Sequence, residues 1–228
     1  MKRNKKERIK RKRLQMKHRR LIKQYPWLLP RNVWTDKVPE DYDYTYINWY
    51  GWPTGWNKAF GDMFLKEFGE AVKEAGLEQT TRIEQMKEKY GFMRCYINGG
   101  TEKMHQIINK YEHLSENICV ACGKPDVPMI YDGWYSPWCY DCWKKSYRRH
   151  EKWVAEHRES YEYKTEEQIR ELYDECVCGE DSVLAESYKV TRFSKDGNIT
   201  ETYDISDTAK AVRERWDKRH DRNSRKRN

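Results

Sequence analysis

Cys119-Val-Ala-Cys122-Gly123, followed after sixteen residues by Cys139-Tyr-Asp-Cys142, constrains this chain more than any other stretch. Thiolates three positions apart can face one tetrahedral ion, and the interval 125–137 is long enough for a hairpin that returns the second pair to the first. The pattern predicts one structural zinc ion, Zn2+, with Cys119, Cys122, Cys139 and Cys142 as its ligands. Four sulfurs leave no open position for a catalytic water. Metal binding at such sites contributes on the order of 10 kcal/mol or more to folding of the local unit.

Seven cysteines, an odd number, fit thiolate–metal chemistry in a reducing compartment better than a disulfide framework. No apolar run is long enough to span a membrane, and the Lys/Arg-rich start is not followed by the apolar segment of a signal peptide. The expectation is therefore a soluble cytoplasmic protein with no membrane partner. Hydrophobic residues make up 37% of the chain and aromatics 14%, so the core must draw heavily on Trp and Tyr. The net charge of +8 conceals a division: residues 1–24 hold thirteen Lys/Arg against Glu7, and residues 213–228 hold eight against three acids. The body between them carries 24 basic and 33 acidic residues, so basic ends flank an acidic middle.

Five segments follow. Residues 1–24 form a basic N-terminal arm, which includes Arg11, Lys12, Arg13, Arg19 and Arg20; without Gly or Pro it can be helical, but alone in water it is expected to be disordered by self-repulsion until it meets a polyanion or a partner. Residues 25–118 are an aromatic-rich α+β region. Its first part is rich in Pro, and Tyr42, Tyr44 and Tyr46 alternate with Asp41, Asp43 and Thr45 as in a strand with one aromatic face, read as core packing in preference to a base-stacking platform. Trp56 to Ala75, with apolar residues from Phe60 onward at helical spacing, predicts a helix stopped at Gly76. A strand pair over 82–86 and 92–97 and a helix capped by Thr101 come next. Residues 119–158 are the zinc module with a basic helix, in which Pro137 falls where a first helical position would be. Residues 159–212 hold a helix opened by the capping box Thr165-Glu-Glu-Gln168 and closed at Gly179, then a hairpin turning at Lys195-Asp-Gly-Asn198. A last helix starts near Ser206 and dissolves into the basic tail, 213–228.

The order of knuckle, hairpin and second cysteine pair at a helix start resembles treble-clef zinc modules. The stretch Ile83-Glu-Gln-Met-Lys-Glu-Lys-Tyr-Gly-Phe-Met-Arg94-Cys-Tyr96, with Asn98-Gly-Gly, Ile118-Cys-Val-Ala-Cys-Gly-Lys-Pro125 and Gly133-Trp134 before the second pair, resembles a family of uncharacterised proteins of bacteria and their phages. That resemblance covers roughly residues 80–143. It implies phage or mobile-element ancestry and brings no catalytic residue with it.

On the helix after the second pair, Lys144, Lys145, Arg148, Arg149 and Lys152 form a basic stripe fixed to the metal module. Two readings stand for it: phosphate recognition, since fixed cations release counterions at little entropic cost, or a solvated face that pairs with the acidic body. A nuclease of the HNH type needs a histidine base and further metal ligands, but no histidine lies between Cys122 and Cys139, and His150 and His157 come eight and fifteen residues after Cys142. Cys95, Cys176 and Cys178 are too few for a second site and read as buried thiols. No phosphate-binding glycine loop, HExxH or nucleophile elbow occurs. The chain is therefore expected to be an α+β protein of short antiparallel strands and several helices around one four-cysteine, treble-clef-like zinc module, with flexible basic termini. Its expected role is non-catalytic binding of nucleic acid or a ribonucleoprotein. The alternatives are a protein-interaction factor that modulates a host protein, such as an anti-defence protein, and a metal-dependent nuclease.

Overall fold

The structure, a computed structural model, describes residues 5–32, 34–47, 51–178, 189–193 and 199–224. In chain order the elements begin with α1 (Lys5–Gln24), a 3-10 turn (Pro26–Leu28), α2 (Thr54–Trp56), a π turn (Asn57–Gly61), α3 (Asp62–Glu74), β1 (Arg82–Lys89), β2 (Phe92–Asn98) and α4 (Glu102–Ser115). They continue with β3 (Met129–Tyr131), β4 (Tyr135–Pro137), α5 (Tyr140–His157), α6 (Glu166–Cys176), β5 (Lys189–Phe193), β6 (Ile199–Asp204) and α7 (Ser206–Ser224). Among the described residues the sheets are two-stranded: β1 with β2, β3 with β4, and β5 with β6. This is the expected α+β class. The expected helix stop at Gly179 and the turn at 195–198 lie outside the described residues.

The chain divides into two compact units. In the first, comprising residues 1–52, 62–89 and 93–111, Phe64 packs between Phe68, with ring centroids 5.4 Å apart and nearly parallel, and Tyr111, 5.3 Å away and edge-on. Trp27 closes the cluster edge-on to Phe68 at 4.9 Å. Helix α3 ends as its sequence dictates. The amide of Leu77 reaches the Val72 carbonyl and that of Gly76 the Lys73 carbonyl, with Gly76 at φ +66°, a Schellman stop.

One expectation fails in this unit. The tyrosines of 42–46 are not on a strand, because the Asp43 carboxylate accepts from the Thr45 amide at 2.9 Å and from its hydroxyl. Tyr44 takes φ +65°, and the alternation becomes a tight turn with the three rings gathered on one another. Over residues 5–24 the basic arm is the 20-residue helix α1, held on that turn by one face. Arg11 forms an ion pair with Asp43, Gln15 donates to the Asp43 carbonyl at 2.8 Å, and buried His18 donates from Nδ1 to the Tyr44 carbonyl at 2.7 Å. These positions fall at i, i+4 and i+7, a single helical stripe. Burial holds the His18 pKa below its ordinary value against the opposing pull of the Tyr44 carbonyl.

The second unit comprises residues 53–61, 90–92 and 112–228. Its β3–β4 hairpin pairs Met129 with Pro137 and Tyr131 with Tyr135. The chain leaving α6 joins the same hairpin, through an Ile130–Val177 bridge and a 2.9 Å bond from the Cys178 amide to the Met129 carbonyl. Ile130, Trp143, Ile169 and Tyr173 form the core between hairpin, α5 and α6. Helix α7 buries Ala209 and Val212, while Arg213 grips Asp126 through two bonds of 2.7 and 2.8 Å and Arg219 donates to the Lys58 carbonyl. Residues 213–224 are thus helix, and Arg213, Lys218 and Arg219 among their cations have partners within the chain.

Candidate metal centre and the helix it carries

The first cysteine pair lies on a knuckle. The Cys119 amide donates to the Lys124 carbonyl at 2.9 Å, the Gly123 amide to the Cys119 carbonyl at 3.0 Å, and the Lys124 amide to the Cys122 sulfur at 3.4 Å. Gly123 sits at φ +85°, and a Cβ there would press on the Gly55 carbonyl oxygen. Gly55 in turn donates to the Val120 carbonyl at 2.8 Å, and a Cβ on it would overlap the Cys119 carbonyl. Two glycines therefore let the α2 backbone lie directly against the knuckle. Buried Trp56 adds a 2.8 Å bond from its indole N–H to the Ile118 carbonyl.

The second pair starts α5. Cys139 is the N-cap in extended conformation, with no cap bond from its side chain, and its carbonyl accepts from the amides of Cys142 and Trp143 at 3.1 and 3.0 Å. Pro137 is not at the first helical position; it closes β4, where its carbonyl accepts from the Val120 amide at 3.0 Å. That bond ties the hairpin to the knuckle.

All four predicted ligands converge. The sulfurs of Cys119, Cys122, Cys139 and Cys142 lie within 4.8 Å of one another, and those of Cys122 and Cys139 are 3.7 Å apart. A tetrahedron with metal–sulfur bonds of about 2.3 Å has sulfur–sulfur edges of about 3.8 Å, so this set can hold one metal ion. Cys119 and Cys139 are buried, and Val127 and Trp138 pack around them and restrict water. Four thiols this close cannot all ionise unaided. The S–H groups of Cys122 and Cys139 stabilise the Cys119 thiolate and draw its pKa far down. Donating that hydrogen bond pushes the Cys122 thiol up to about 12 and raises Cys139 still further, while burial, followed by the Cys119 charge, pushes Cys142 up to about 12. A divalent cation at the centre reverses this order, since coordinated thiols lose their protons. Among the described residues this is the one His, Cys, Asp and Glu grouping with metal-ligand spacing, and Cys95, Cys176 and Cys178 are not part of such a group.

The five predicted cations of α5 separate into two sets. Lys144 is ion-paired with Glu166. Arg148 bridges Glu151 and Glu166 at 2.7 Å each and donates to the Lys164 carbonyl at 2.8 Å. These two ion-pair α5 with the start of α6. Lys145, Arg149 and Lys152 face solvent. Of the arm residues, Arg11 is taken by Asp43 and Arg19 lies 4.1 Å above the Tyr44 ring, whereas Lys12, Arg13 and Arg20 are exposed.

Glu151 is the residue that sequence reasoning missed here. Its carboxylate is fully buried and accepts from Arg148, the Lys164 amide and the Tyr161 hydroxyl. Burial raises its pKa, but the Lys164 amide and Arg148 outweigh that and leave it below 4.5. A depressed carboxyl contributes its stability in full above the unfolded value and loses it as pH falls through the folded one. The melting temperature of wild type should therefore drop more steeply than that of Glu151→Gln below pH 4.5, and parallel curves would show that the carboxylate does not titrate with folding.

Comparison with known proteins finds no matching family model, no matching curated protein and no matching solved structure. Among the described residues, no helix is long and apolar enough to cross a membrane.

Proposed function

We propose that this chain is a zinc-stabilised, non-catalytic protein that binds nucleic acid or a nucleoprotein assembly in the cytoplasm, of phage or mobile-element origin. The ion is zinc because four sulfurs at tetrahedral spacing suit its softness and geometry. The order of knuckle, hairpin and ligand-bearing helix supports a treble-clef reading of residues 119–157.

One observation carries the binding role: α1 is a cationic helix with one acidic residue, Glu7, fixed by Asp43 and Tyr44 through one stripe, so that Lys12, Arg13 and Arg20 project from the rest of its surface. Cations held this way lose little freedom on meeting phosphate, and the gain comes from released counterions. With six contacts, the logarithm of affinity against the logarithm of salt should fall with a slope of about −5 on duplex and about −4 on single strands. Replacing Lys12, Arg13 and Arg20 together with Ala should flatten that slope by about 2 to 3. A slope shallower than about −2, or affinity unchanged when residues 1–24 are removed, would overturn the proposal.

A further inference from the structure

From the outer face of α5 we infer a track for single-stranded nucleic acid, with an adjoining cavity that takes one unpaired base. The inference rests on the nucleic-acid reading above and assigns strandedness to a surface distinct from α1.

Two strips run along this face. Lys145, Arg149 and Lys152 recur at i, i+4 and i+7, and all three are exposed; Arg149 donates from Nε to the Lys145 carbonyl at 3.3 Å, and Lys152 lies 3.9 Å from Glu156 in an exposed pair that a phosphate can replace. Ser146, His150, Trp153 and His157 recur at i, i+4, i+7 and i+11, about 100° around the axis from the cations. Trp153 is 56% exposed, although it sits on a folded helix. Its ring is stacked with His157, centroids 4.6 Å apart and 27° between planes, and with His150 at 6.1 Å and 22°. The His157 Nδ1–H donates to the Trp153 carbonyl at 2.8 Å, which fixes that ring against the indole. A row of flat rings beside a row of cations matches a strand in which bases and phosphates alternate.

At the Ser146 end the ring strip opens into a cavity of about 470 Å³, lined by Asp132, Trp143, Tyr147, His150, Leu172 and Cys176. That size falls in the roughly 300–1,000 Å³ range of small-molecule sites and suits one nucleoside. Trp143 and Tyr147 give it an aromatic wall, with rings 5.2 Å apart and 26° between planes. The Trp143 indole N–H donates to Asp132 Oδ2 at 2.9 Å, which fixes a carboxylate at the rim with acceptor capacity to spare. A carboxylate accepts from an exocyclic amine, as cytosine recognition illustrates, whereas thymine and uracil offer only a ring N3–H flanked by two carbonyl oxygens that repel it. The cavity therefore favours a base carrying an amino group, and its negative charge meets the base while the cations meet the backbone.

The test uses the full-length, zinc-loaded protein and fluorescence anisotropy with labelled DNA and RNA 12-mers of A, C or T/U, set against a duplex of equal length. Single strands should bind at least about 10-fold more tightly than the duplex, with A and C ahead of T and U. Trp153→Ala should weaken single-strand binding by about 10-fold or more and leave the duplex affinity unchanged. Lys145, Arg149 and Lys152 replaced together with Ala should flatten the single-strand salt slope by about 2. Asp132→Asn keeps an acceptor for Trp143 and should remove the preference for amino bases. Equal single-strand and duplex affinity, or single-strand affinity indifferent to Trp153→Ala in protein of unchanged zinc content and melting temperature, would overturn the track while leaving the role of α1 intact. Equal affinity for all bases would overturn the cavity assignment, and failure to bind any of these nucleic acids would remove the underlying reading itself.

Discussion

Removing the metal with a strong chelator should unfold the second unit. Its circular dichroism should lose helical signal as α5 loses its start, and its melting transition should disappear or shift by tens of degrees. The sulfurs of Cys119, Cys122, Cys139 and Cys142 fit one ion, and such a site contributes on the order of 10 kcal/mol, against a typical total stability of about 5–15 kcal/mol. The β3–β4 hairpin has three residue pairs, and the knuckle is held by main-chain bonds that depend on the loop staying closed. Cys119→Ser and Cys139→Ser, at the two buried ligands, should come close to chelation in effect. Elemental analysis should give one zinc per chain. A chain without stoichiometric metal, or a melting curve indifferent to the chelator, would overturn the four-sulfur centre.

The second large effect is expected at Trp56. Its side chain is fully buried, and its indole N–H satisfies the Ile118 carbonyl at 2.8 Å, one residue before the first ligand. Trp56→Ala removes a large ring at a cost of about 3–5 kcal/mol and leaves a buried carbonyl unpaired for a further 1–3 kcal/mol or so. Trp56→Phe separates the two terms, since it retains most of the ring and loses the donor, and should cost about 1–3 kcal/mol. Denaturant titration of the zinc-loaded protein measures both. A neutral Trp56→Phe would mean that the Ile118 carbonyl has another partner.

Where chemistry sets geometry over a few residues, the sequence was readable. The CxxC spacing picked out the four cysteines that cluster, and the capping box forms as expected, with reciprocal bonds between Thr165 and Gln168. Gly76 closes α3 in the left-handed conformation that its position suggested. Failures came where a distant partner decided the outcome. The alternation of Tyr42, Tyr44 and Tyr46 suits a strand, but an Asp-x-Thr turn centred on Asp43 bends the chain first. The arm reads as self-repelling until Asp43 and the Tyr44 carbonyl give Arg11, Gln15 and His18 a place to bind.

The stripe on α5 was legible as charge and not as allocation. Lys144 and Arg148 differ from Lys145 and Arg149 by one residue each, a rotation of about 100° around the helix. That rotation aims them at Glu166 and Glu151 instead of at solvent. Only the placement of α6 distinguishes the two sets. A signal for the ring strip was nevertheless present: Trp153 lies among charged residues, with histidines three before and four after it, a helical spacing that a search for cations alone passes over.

The indole of Trp56 and the carbonyl it reaches are 62 positions apart, whereas the sulfurs of Cys122 and Cys139 are separated by 17. Closing the longer loop costs about 1 kcal/mol more entropy than closing the shorter, and the shorter closure also gains a metal bond. An ion bound there would favour an order of assembly in which the knuckle and the helix start close before the earlier stretch of chain condenses on them.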